Sequence, residues 1–453
     1  MRKRRGARVL LIAACAGLAL AHPLPAVERV RIEKPLVSPQ GADASARVDS
    51  LLDRAAATVA RLYGDDIQVA AAASGESAAY SLATVASLDS DIPAILITLT
   101  RLADGKKSAP LSWSAPAAPD QPLWLARAIF LLWSSFHDFL IDQAAEQPVL
   151  ADELSASMLN PTMPPLGIAV EANGNVAVAL LMSCVELDPS FRPVGQAGKA
   201  LDDKGVLYYA GGVSATPGGS LLLKPNGGRD LYRLQPDSPE PQRMPAGLEL
   251  ASIYYWTALA DGSALLVDST NRKAYRVTPG RKRQELALFL NPSSWPTAYA
   301  AGPDGSIWVY DPLLKGVRLF TAEGNPADII LPLLDPARSL VPTAMAVGPD
   351  GSFVMLSNRQ LLKIRKDGRL VWEMDTLPGA EQDSLPQAAQ IAVDWSRGLI
   401  YLADLTGRRI IKLLDRAYCR EKGIHNALEE KVVALRGSSS GETEVSGRIA
   451  ELY

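Results

Sequence analysis

The chain has 453 residues, 48% of them hydrophobic and 21% charged, with only 6% aromatic residues beside 34 glycines and 33 prolines. That length predicts two or three domains, and so turn-rich and aromatic-poor a composition argues against a large helical bundle. A formal net charge of −3 at pH 7 argues against general nucleic-acid or anionic-membrane binding.

Residues 1–21 read as a cleaved export signal. Arg2, Lys3, Arg4, Arg5 and Arg8 form a basic start, Val9 to Leu20 an apolar run, and Ala19-Leu20-Ala21 a small-residue cleavage site. The run is too short to span a bilayer, so no transmembrane segment is expected in the mature chain. The alternative is a lipoprotein anchored through Cys15 in Ile12-Ala13-Ala14-Cys15. Cleavage after Ala21 removes five basic residues and no acidic one, taking the net charge to −8. The expected location is the periplasm or cell envelope.

Residues 22–42, rich in proline and polar residues, read as a linker to a small α/β domain over 43–150. Val48, Leu51, Leu52, Ala55, Val59 and Leu62 recur at helical spacing from about Ala44 to Tyr63. Four strands are predicted next: Ile67–Ala73, Tyr80–Leu88, Ala94–Leu102 and Leu111–Ser114, the last after an Asp104-Gly105 turn. A second helix begins near Pro122, which suits a first helical turn, and continues to about Ala145 with Trp124, Phe130, Trp133, Phe136 and Phe139 on it. This order, with Leu102-Ala103-Asp104-Gly105-Lys106 before Trp113, resembles the N-terminal domain of TolB-like envelope proteins.

Beyond residue 165 the sequence repeats. Turn signals centred on Gly174, Gly219, Gly262, Gly305, Gly351 and Gly398 stand 45, 43, 43, 46 and 47 residues apart. Six units of about 40–50 residues, each with short strands, predict a six-bladed β-propeller over 151–415. Trp295-Pro296-Thr297-Ala298-Tyr299-Ala300 and Val341-Pro342-Thr343-Ala344-Met345-Ala346 each lead into a Gly-Pro-Asp-Gly turn. Proline is harmless at a strand entry, and alanines suit the crowded strand nearest the axis. Leu266-Val267-Asp268-Ser269-Thr270-Asn271-Arg272 and Tyr401-Leu402-Ala403-Asp404-Leu405-Thr406-Gly407-Arg408 resemble NHL-type repeats, whereas Asp311 is followed by Pro312 and departs from that pattern. Residues 416–453 read as a short helical tail, alternatively the start of a tetratricopeptide segment continuing past Tyr453. The fold class is therefore mainly β: a propeller preceded by a small α/β domain and followed by helix.

The three histidines, His22, His137 and His425, all lie outside the repeats, which excludes a Ser-His-Asp or Cys-His centre within the propeller. No C-x-x-C occurs, and no cofactor or metal is expected. Asp268, Asp311 and Asp404 end second strands and are expected to bond their own turns. Arg272, Lys315, Arg359 and Arg408 recur between second and third strands, on the same face as the entry near Trp295. Such a ring would attract an envelope protein or an anionic polymer, though not nucleic acid, which export places out of reach. The expected function is thus non-enzymatic binding or scaffolding. The alternative is a metal-dependent hydrolase, because propeller lactonases, which NHL proteins broadly resemble, hold a divalent ion on the axis with Glu, Asn and Asp. Cys184 and Cys419 lie in the first and last units, and ring closure opens the alternative of a disulfide between them.

Overall fold

The computed structural model describes residues 28–425, apart from 34, 39–41, 64–66, 72–77, 88–93, 109, 115–120, 135–146, 160–163, 181–182, 198–209, 217, 226–230, 237–241, 245–254, 269, 279–282, 291–294, 333, 335–339, 358, 378–384 and 386–387. The export signal, Cys15, His22, His137 and the tail beyond residue 425 lie outside the described residues. Among the described residues, no helix is long and apolar enough to cross a membrane.

The N-terminal domain is built from β1 (Glu28–Ile32), β2 (Leu36–Ser38), α1 (Ala42–Tyr63), β3 (Ile67–Ala71), β4 (Tyr80–Ser87), β5 (Ala94–Arg101), β6 (Leu111–Ser114) and α2 (Gln121–Ser134). Its sheet runs β3-β1-β4-β5-β6, with β2 also on β4. The span expected as a linker therefore contributes two strands. β1 pairs in parallel with both β3 and β4, so its strand character comes from the tertiary fold rather than from a local hairpin. Val48, Leu51, Leu52, Ala55 and Val59 of α1 are buried at the spacing that puts them on one helical face. They meet Leu82 and Ala86 of β4 and Ile95, Ile97 and Leu99 of β5 in one cluster.

Six four-stranded antiparallel sheets follow: blades 1 (165–197), 2 (210–244), 3 (255–286), 4 (298–330), 5 (342–374) and 6 (388–414). Blade 6 borrows its outermost strand, β7 (Val149–Ser155), from ahead of blade 1. Ring closure is thus main-chain hydrogen bonding between the two ends of the propeller sequence. It is reinforced by Lys412 on Asp152 at 3.0 Å and Arg409 on Glu153 at 3.3 Å. Each of the six turn glycines has a positive φ, between 67° and 86°, which a side chain would strain.

Helix α2 joins the two domains. Every residue from Trp124 to Ser134 is buried, between α1 and the sheet on one side and blade 4 on the other. Trp124 Nε1 donates to the Leu314 carbonyl at 3.2 Å, and Arg127 pairs with Asp328 at 3.1 Å. Leu314, Ile329 and Leu331 of blade 4 share the domain's hydrophobic cluster.

At the other end, α3 (Arg416–Lys422) stitches blade 5 to blade 6. Its N-cap, Asp415, accepts from Tyr418 N at 3.0 Å, Lys363 Nζ at 2.7 Å and Trp372 Nε1 at 3.2 Å, all buried. A charge this deep is tolerated because every oxygen has a donor. The disulfide alternative is corrected here: Cys184 and Cys419 are both buried and are not bridged to each other. Cys184 packs with blade 2 residues such as Val213 and Leu223, whereas Cys419 packs with Tyr401 and Leu414 and donates to the Arg397 carbonyl at 3.5 Å. Ring closure brings the first and last blades together, but these two side chains occupy different seams.

Candidate functional site: the axial funnel

The six innermost strands surround a funnel of about 520 Å³ along the propeller axis. Its wall follows from sequence register. Five residues before each turn glycine stand Ala169, Ser214, Thr257, Ala300, Ala346 and Val393, all on the wall. Small side chains there let the strands approach without closing the axis. Eight residues before the glycines, Leu166, Thr297, Thr343 and Gln390 form an upper layer, also on the wall.

The funnel is asymmetric. Gln390 of blade 6 accepts from Ile168 N at 3.0 Å and donates to the Val213 carbonyl at 3.4 Å, so one side chain bridges blades 6, 1 and 2. Gly167 makes this possible: a Cβ there would stand 2.7 Å from Gln390 Oε1 and 2.9 Å from Gly212 Cα. Trp256 closes over Gly212 in turn, 3.1 Å from where a Cβ would be. Ser214 Oγ lies 3.2 Å from Thr257 Oγ1 and accepts from Ala258 N at 2.9 Å. At the entry of blade 4, Thr297 Oγ1 is buried and has no hydrogen-bond partner.

Among the described residues on this wall there is no carboxylate, amine, guanidinium, imidazole or thiol. Tyr255, stacked on Tyr299 at 5.1 Å, is its one phenol, and burial pushes its pKa upward. An axial divalent ion held by carboxylates, as the lactonase alternative implied, does not fit these residues. Among the described residues, no group of three or more His, Cys, Asp or Glu could hold a metal.

The acidic residues do other work. Asp268 Oδ1 accepts from Asn271 N at 3.0 Å, Asp311 Oδ1 from Leu313 N at 3.0 Å and Asp404 Oδ1 from Gly407 N at 2.8 Å. At the opposite ends of the blades, Asp261, Asp304, Asp350 and Asp394 each cap the Ser two residues on, at 2.5–2.6 Å. These hydrogen bonds, together with cations such as Arg276 on Asp261 at 2.5 Å, outweigh desolvation and hold the Asp261, Asp304 and Asp350 carboxyls below the ordinary range.

Glu171 behaves differently. It stands three residues before Gly174, the position at which Leu259, Gly302 and Trp395 line the funnel in other blades. Burial, helped by the Glu186 carboxylate, pushes its pKa up to about 7. Its Oε1 is buried without a partner.

Arg272, Lys315, Arg359 and Arg408 occupy the hairpins between second and third strands of blades 3 to 6, and none lines the funnel. All four have left-handed backbones, with φ from 49° to 62°. Arg272 lies over the Trp295 ring at 4.9 Å, and that ring is 54% exposed. The α2 helix docks on Leu314, beside Lys315, so the hairpin of blade 4 also serves the domain contact. Sequence reasoning missed the upper layer of the funnel. The shared Pro-Thr-Ala of Pro296-Thr297-Ala298 and Pro342-Thr343-Ala344 was its signal, visible once the turn glycines are aligned.

No protein-family model matches the chain, and no curated protein does. Among solved structures, the chain is similar to a streptogramin B lyase at 17% identity, covering 58% of this chain and 97% of that one with a TM-score of 0.41. A gluconolactonase from Xanthomonas campestris gives 16% identity, 60% and 99% coverage and a TM-score of 0.42. A putative gluconolactonase gives 12% identity, 67% and 97% coverage and a TM-score of 0.42. No residue role is carried over at these identities. The expectation of a non-enzymatic scaffold is not carried forward, because these neighbours are enzymes by name; the likeness itself shows the β-propeller fold alone.

Proposed function

We propose that the chain is an enzyme acting on a small uncharged molecule held in the axial funnel, with hydrolysis of a cyclic ester as the reaction class: water adds to the acyl carbon, the ring C–O bond breaks, and the hydroxy acid formed releases its proton to solvent. The observation that carries this reading is the funnel itself. Its volume of about 520 Å³ falls within the range of small-molecule sites. Its exposed lining is mixed, with somewhat more polar than apolar surface. Leu166, Ile168 and Trp256 offer apolar contact, and Thr343 offers an exposed hydroxyl-bearing side chain. The narrow strand approach at Gly167 and Gly212 would orient a flat ligand against blades 1 to 3 and exclude water from that side. The exported location expected from residues 1–21 belongs to this proposal.

The test is turnover of a panel of neutral lactones, followed by proton release. Thr343→Trp places an indole at an exposed position of the funnel wall and should abolish turnover, whereas Arg408→Gln, on an exposed hairpin, should leave it unchanged. Thermal melting would show that both variants fold. Turnover that survives Thr343→Trp, or a panel with no turned-over member, would sink the proposal.

A further inference from the structure

Resting on that reading of the funnel, we infer that Thr343 is its specificity-determining hydrogen-bond donor, and that the ligand is a flat uncharged ring with a carbonyl oxygen turned toward blade 5. The polar side chains of the wall differ in what they can still bond. Gln390 is committed at both ends of its amide, to Ile168 N and to the Val213 carbonyl. Ser214 and Thr257 are committed to each other, Ser214 also to Ala258 N, and the Tyr255 phenol to the Thr257 side chain. The Thr297 hydroxyl is buried out of reach. Thr343 differs from all of these: it stands exposed on the wall, with no side-chain partner among the described residues.

A bulge puts it there. In the innermost strand of blade 5 (Pro342–Val347), Pro342 pairs with Ser357 and Ala344 with Leu356, so Thr343 is an extra residue without a place in the ladder. Such a residue bends its strand and re-aims its own side chain, which is why bulges gather beside functional sites. The bulge is anchored from the next strand, where Ser357 Oγ accepts from Val341 N at 2.8 Å. Blade 1 carries a bulge at the same place, between Pro165 and Gly167, and the extra residue there, Leu166, is also on the wall. One bulge delivers carbon to the upper layer and the other delivers a hydroxyl.

The facing wall sets the shape of the ligand. Each innermost strand packs on the next around the ring, so blade 2 stands opposite blade 5. There Gly212 lines the funnel without a side chain, and the Trp256 indole lies 3.1 Å from where its Cβ would be. The space opposite Thr343 is thus bounded by backbone and an aromatic ring, which suits a flat molecule. A ring lying against that surface turns its carbonyl to the Thr343 hydroxyl, which donates. A ring of the same shape without the oxygen displaces the water on that hydroxyl and returns no bond.

Calorimetric titration of the full chain tests this with two probes of one skeleton. Dihydrocarbostyril is a flat lactam that resists hydrolysis, and tetralin has methylenes in place of its amide. The lactam should bind more tightly than tetralin. Thr343→Val should weaken lactam binding by about threefold to tenfold and leave tetralin unchanged, while Thr343→Ser restores the lactam. No effect of Thr343→Val on the lactam, an equal loss for both probes, or no binding of either would overturn the inference. Binding is read without turnover, so the two readings fail separately. Lactam binding that depends on Thr343 in a protein that opens no lactone would sink the proposed reaction and leave this inference standing.

Discussion

Glu171 shows how a single residue couples the propeller to pH. Its carboxyl has an ordinary pKa of 4.5, and burial beside Glu186 raises it to about 7 in the folded protein. Between those values the folded state holds a proton that the unfolded state has released, so stability falls as pH rises. The contribution is fully present below about pH 4.5, is lost progressively up to about pH 7 and is flat above. Glu171→Gln keeps the shape and removes the charge. Urea unfolding should therefore find it more stable than the parent at pH 8, by about 1 kcal/mol once solvent screening of this half-buried carboxylate is discounted, with the gap closing by pH 4.5. A gap that persists at pH 4.5 would show that the glutamine acts by some route other than charge.

Hairpins are the elements on which local and global demands meet. The chain between second and third strands turns through Lys315 at φ 49°, Arg359 at φ 62° and Arg408 at φ 51°, where Gly or Asn is the easy residue. A left-handed backbone costs a residue with Cβ roughly 1 kcal/mol. Lys315→Gly should thus raise unfolding free energy by up to about 1 kcal/mol, less whatever flexibility glycine adds to the unfolded chain. Denaturant unfolding at neutral pH measures it. A loss exceeding 1 kcal/mol would mean that the Lys315 side chain supports the neighbouring α2 contact. The turn glycines at the opposite ends tell the simpler story: six left-handed positions, six glycines.

The whole molecule depends on one strand from outside the repeats. β7 supplies the fourth strand of blade 6, with Leu154 opposite Ile410. A proline at Leu154 would distort that ladder at the point where the ring closes. Leu154→Pro should cost roughly 3 kcal/mol in urea unfolding, and more than Arg243→Pro in the outermost strand of blade 2, which closes nothing. Equal losses would mean that the ring does not rely on its closing strand.

The six turn glycines and the alternation around them made the propeller legible in the sequence, because a left-handed turn admits few residues and recurs once per blade. The first helix of the N-terminal domain was legible for a similar reason, its apolar residues being spaced for one face. These are local constraints, expressed within a few residues. β1 and β2 were not legible, since their partners β3 and β4 lie beyond α1 and the strands pair only after it has folded across them. Nor was β7, whose partner is some 250 residues away. The funnel belongs to the same class. No stretch of sequence states that the Thr297 hydroxyl is buried without a partner, or that Gln390 spends its amide on two other blades. Those facts arise only when six inner strands are brought around one axis. Register fixes which residues reach the wall, and packing between blades decides which polar groups are left for a ligand.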